Sequence, residues 1–121
     1  MTIIDTPHVT APPVAPERLA LADILDGAAW LIERDGWADN GMSYPRRCVV
    51  MAIAAQAIPG DAPMAAMMDT SKGCEAVRVM EQFLGLECHV LPDWNDLVAG
   101  SSEVVCDTLR ACAIAVRSGL L

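Results

Sequence analysis

The chain has 121 residues, 54% hydrophobic but with a single Phe and a single Tyr, and a net charge of −8 from sixteen carboxylates against eight bases. One domain of ordinary size follows, with a core of small and aliphatic side chains that suits helices better than sheets. Acidity of this degree repels phosphate backbones and argues against direct nucleic-acid binding, and no apolar run approaches the roughly 18 residues of a membrane span.

Residues 1–15, with Pro7, Pro12 and Pro13, show no periodic apolar face and read as a flexible, Pro-rich leader to a single helical domain over 16–121. His8 stands alone in that leader and receives no role. The start lacks the basic and apolar stretches of a secretion signal, so a cytoplasmic protein is expected.

From Pro16 onward Leu21, Ile24, Leu25, Ala28, Leu31 and Ile32 recur at steps of three and four, which predicts an amphipathic helix over 17–35. Gly36 supplies its stop, and Trp37 is expected to fold back onto Ile32, partly buried. Asp39-Asn40-Gly41 reads as a turn, and Ser43 or Tyr44 as the cap of a second helix over 45–58.

That second helix has Pro45 in its first turn and Ile58-Pro59-Gly60 as its stop. Between Cys48 and Ile58 only Gln56 is strongly polar, and a helix apolar all round is one that neighbours enclose. It is therefore expected to be central, with Val50, Ile53, Ala54 and Ala57 inaccessible and the other helices packed upon it.

A short helical turn is expected within Asp61–Asp69, with Pro63 in it. A third helix over 71–84 has Thr70 or Ser71 as cap and Gly85 as stop. Its polar line Glu75, Arg78 and Gln82 opposes Ala76, Val77, Val79, Met80, Phe83 and Leu84. Glu87–Leu91 is β-leaning but has no partner run, so it reads as an extended connector. A last helix over 102–118, capped by Ser101 or Ser102, sets the stripe Val105, Leu109, Cys112 and Val116 against Glu103, Asp107, Arg110 and Arg117. An all-α bundle of four main helices is the predicted fold.

A helix ending in Leu31-Ile32 before Gly36-Trp37, an Ala-rich helix after Cys48, and Trp94-Asn95-Asp96 ahead of the last helix together resemble a small domain-of-unknown-function family of actinobacteria and their phages. The resemblance covers about residues 16–118. It implies a fold and a genomic context but no reaction. The Pro-rich leader and the Met-rich stretch Met64–Met68 have no counterpart in it.

Trp94-Asn95-Asp96 reads as a cap and an end plug of the bundle more readily than as a recognition loop. Arg46 and Arg47, in the first turn predicted for the second helix, oppose its dipole and call for a carboxylate such as Asp39, Asp93 or Asp96, or else for an anionic partner group. Five cysteines without a close pair argue against disulfides or zinc and read as small buried hydrophobes, so no metal or cofactor is expected. His89 cannot pair with Cys88 if that segment is extended, and Cys48 or Cys74 would reach it only through packing that the sequence does not encode.

No paired acid and base, phosphate loop or metal cluster is visible. The sequence thus favours a non-catalytic module, phage- or mobile-element-encoded, that binds a host protein through the end formed by Trp37, Arg46, Arg47, Trp94, Asn95 and Asp96. The alternative is a small-ligand protein or enzyme built on Trp37, Arg47, His89 and Asp96.

Overall fold

The computed structural model describes residues 13–40, 45–57 and 71–121. Their apolar periodicities resolve into α1 (Pro16–Asp35), α2 (Val49–Ala57), α3 (Ser71–Leu84), α4 (Leu91–Asp93), which runs straight into a π-helical stretch (Trp94–Val98), and α5 (Ser102–Arg117). The fold is all-α. The only extended pairing among the described residues is an isolated parallel bridge between Trp37 and Arg47.

The broadest packing joins α1 to α5. Leu21, Leu25, Ala28 and Ile32 of α1 and Val105, Leu109, Cys112 and Val116 of α5 are buried in one cluster, so both predicted stripes form the core. Two exposed arginines link these helices along their polar edge. Arg110 makes a two-pronged contact with Glu33 at 2.6 Å for each prong, and Arg117 reaches Asp23 at 2.7 Å and Asp26 at 2.5 Å. Exposed pairs of this kind add little, so burial holds the two helices together.

α2 packs on α1 and then on α3, so it is enclosed as its composition requires, although α1 carries the wider contact surface. Val49, Val50, Ala52, Ile53 and Ala54 are buried, whereas Ala57, expected to be inaccessible, is half-buried at the helix end. The approach to α1 is close: a Cβ at Gly27 would stand 2.2 Å from Gln56 Oε1.

The start of α2 differs from expectation. It begins at Val49 rather than Pro45, because Arg47 is drawn into the bridge with Trp37. Cys48 is its cap in place of Ser43 or Tyr44. The Cys48 sulfur accepts from Met51 N–H at 3.5 Å while its carbonyl accepts from Ala52 N–H. Ser43, Tyr44 and Gly41, the stop at 58–60, the turn proposed within 61–69 and Thr70 all lie outside the described residues.

α3 ends as predicted at Gly85, which lies at φ +71; Leu86 N–H bonds to Glu81 O and Gly85 N–H to Gln82 O, the paired Schellman closure. The connector expected to be extended is instead a turn with His89 at φ +69, which delivers Val90 and Leu91 into α4. Pro92 fits that first turn. In the π-helical stretch Ala99 N–H reaches back to Trp94 O, one residue further than in an α-helix. Ser101 caps α5 by accepting from Val104 N–H.

Candidate functional site

Of the residues singled out in the sequence, Trp37 and Asp96 hydrogen-bond to the Asn95 side chain. This side chain is 0% exposed. Its Oδ1 accepts from Trp37 Nε1 at 2.8 Å and from Val49 N–H at 3.0 Å, and its Nδ2 donates to Ala38 O and to Asp96 Oδ1, both at 2.9 Å. One amide thus ties the segment after α1, the first turn of α2 and the π-helical stretch together. Both amide protons and both lone-pair directions of its oxygen are occupied, which leaves nothing for a ligand.

The neighbouring groups are committed in the same way. Trp94 is 7% exposed and lies in the core, and the half-buried Trp37 packs against that core with its indole N–H used by Asn95. Ala38 N–H donates to Arg47 O at 3.0 Å and Arg47 N–H to Gly36 O at 3.1 Å. Gly36 lies at φ +102 and ψ 162, a region open essentially to glycine alone, and a Cβ there would meet Arg46 Cγ at 2.7 Å.

Neither arginine lies in the first turn of α2, so the expected conflict with its dipole does not arise. Arg47 pairs with Asp35, not with Asp39, Asp93 or Asp96. Hydrogen bonds from Arg34 and then Arg47 hold the Asp35 carboxyl well below its ordinary value. The arrangement has the chemistry of a clasp. It directs Arg46, Leu97 and Val98 outward, the last two 78% and 69% exposed.

A second feature lies between α2, α3 and the turn at 85–90. A cleft of about 300 Å³ is lined by Val50, Ala54, Gly73, Cys74, Val77, Arg78, Glu81 and His89. Glu81 is 2% exposed, and its Oε2 accepts from Leu91 N–H at 3.1 Å. Its Oε1 is buried and has no hydrogen-bond partner among the described residues. A buried oxygen of this kind is unusual in a native fold and calls for a donor. Arg78 and His89 are exposed at the same cleft.

Of the residues named for the alternative site, the cleft takes His89 but not Trp37, Arg47 or Asp96. Glu81 escaped the sequence reading, yet a signal was present: it falls four residues after Val77 and three before Leu84, a carboxylate within the apolar line of α3.

The cysteines divide by environment. Cys106 and Cys112 are buried as expected and Cys48 is half-buried, but Cys74 and Cys88 are exposed. Burial raises the thiols of Cys48 and Cys106 and pushes that of Cys112 up to about 12, which disfavours the nucleophilic thiolate at all three. Cys74 and His89 line the same cleft, a meeting brought about by packing rather than by sequence proximity.

Residues 16–115 match the sequence family described as Family of unknown function (DUF6197). No curated protein and no solved structure matches the chain.

Proposed function

The chain belongs to this family of unknown function, and on the geometry of its own residues we propose that it is a small-ligand-binding protein whose site is the cleft between α2 and α3. One observation carries the reading: a mainly apolar cleft of about 300 Å³ holds a buried carboxylate with one oxygen unpartnered among the described residues. Ligand sites combine an apolar lining with a few converging polar groups, and this volume is at the small end of their range of roughly 300–1,000 Å³. The Asn95 clasp supports the reading by contrast, since its polar groups are already satisfied within the protein.

The test is ligand-observed NMR with a set of compact neutral, cationic and anionic fragments. Cys74, exposed on the cleft lining, offers a way to block it. Binding to the wild type that disappears in a folded Cys74→Trp variant is expected. Binding that persists unchanged in that variant, or no binding by any fragment, would refute the proposal.

A second reading, attachment to a protein partner, draws on the exposure of the neighbouring Leu97 and Val98 in the π-helical stretch that Asn95 pins. Paired apolar side chains on a pinned helical stretch suit a partner surface. Leu97→Asp would then abolish partner capture and leave fragment binding in the cleft untouched.

A further inference from the structure

We infer that the cleft selects a compact apolar amine, bound with its ammonium group directed inward onto Glu81. The inference rests on the small-ligand reading of the cleft and adds the chemical class of the ligand.

An ionised carboxylate accepts hydrogen bonds and donates none, so whatever completes Glu81 must bring a donor. Oε2 is already engaged by Leu91 N–H at 3.1 Å, which fixes the carboxylate to the first residue of α4 and leaves Oε1, buried, as the oxygen without a partner among the described residues. A neutral hydroxyl would satisfy the hydrogen bond but not the charge. An ammonium satisfies both, because its own charge adds an attraction that a water-poor, buried carboxylate feels with little screening.

The apolar part of the lining suits the body of such a ligand. Val50, Ala54 and Val77 are aliphatic surfaces for an apolar body, and Glu81 is the only carboxylate among the lining residues. Arg78 and His89 are exposed, whereas Glu81 is buried. An anion entering past Arg78 would meet the carboxylate within, where repulsion is little screened by water.

Three probes of matched shape separate the possibilities: benzylammonium, benzyl alcohol and benzoate, titrated calorimetrically into the full chain at neutral pH and physiological salt, which screens attraction to the overall negative charge. Benzylammonium is expected to bind at least about 10-fold more tightly than benzyl alcohol, and benzoate not at all. A tenfold ratio corresponds to about 1.4 kcal/mol. Glu81→Gln keeps an oxygen for Leu91 N–H but loses the charge, and it should erase the preference for benzylammonium over benzyl alcohol.

Equal binding of benzylammonium and benzyl alcohol to the wild type, or tighter binding of benzoate, would overturn the amine inference while leaving the cleft as a ligand site. Failure of all three probes to bind would overturn both. The wild-type ranking decides the matter even if Glu81→Gln does not fold. A folded Glu81→Gln variant that still prefers benzylammonium would place the selecting group elsewhere and defeat the assignment.

Discussion

Replacing Asn95 with Ala should lower the unfolding free energy by about 2–5 kcal/mol. The figure follows from the groups the amide now satisfies. Val49 N–H is buried at the first turn of α2, and losing its acceptor leaves a buried donor unmade, at roughly 1–3 kcal/mol. The part-buried Trp37 indole N–H and the buried Ala38 carbonyl each lose one neutral hydrogen bond, at about 0.5–1 kcal/mol apiece. The contact with Asp96 adds little, because that carboxylate is half-buried and can be hydrated.

Urea denaturation followed by circular dichroism and tryptophan fluorescence measures the total. A double-mutant cycle with Trp37→Phe isolates one arm of the clasp: the Trp37–Asn95 coupling should be about 0.5–1.5 kcal/mol, as for groups in direct contact. A loss under about 1 kcal/mol for Asn95→Ala, or strict additivity in the cycle, would refute the view that this amide holds three segments together.

Ile53→Ala should destabilise by about 2–5 kcal/mol in the same assay, since Ile53 is fully buried and α2 is enclosed by α1 and α3; an unchanged midpoint would mean that α2 is peripheral. Asp35→Asn should destabilise at pH 7. The Asp35 carboxyl is depressed below its ordinary 3.8 by Arg34 and Arg47, so its contribution is present above that value and lost as pH falls through the lower folded value. The gap between variant and wild type should therefore narrow as the pH falls below about 4, and a constant gap would contradict the pairing. Native alkylation at pH 8 followed by mass spectrometry should label Cys74 and Cys88 quickly and Cys106 and Cys112 only upon unfolding, because burial raises the last two thiols. Rapid native labelling of Cys112 would show that the α1–α5 interface opens.

Periodicity made α1, α3 and α5 legible, because each has a wide apolar stripe with a local stop or cap: Gly36, Gly85 and Ser101 act where they stand in the sequence. The start of α2 was not legible in the same way. Pro45 is a sound local signal for a first turn, but the Trp37–Arg47 bridge and the Asn95 amide, 46 residues from Val49, override it. Contacts of that span leave no mark on spacing.

The short α4 segment was missed for a related reason. Val90 and Leu91 lean toward strand by propensity, and only the turn at His89 sends them into a helix. The candidate residues Trp37, Arg47, Trp94, Asn95 and Asp96 do gather at one end, since an amide and two indoles near loop ends are natural joints between helices. The cleft could not be assembled from sequence, because Val50, Cys74, Glu81 and His89 meet only when α2, α3 and the turn after Gly85 pack. Glu81 within an apolar line was its one visible trace.

The most direct measurement is a titration of the 15N-labelled protein with benzylammonium, followed by backbone amide shifts. The account predicts saturable shifts at Val50, Ala54, Val77, Glu81 and Leu91, the residues that line the cleft or bond to its carboxylate. Saturable shifts centred instead on Trp37, Asn95 and Leu97, or no saturable shifts at all, would contradict it.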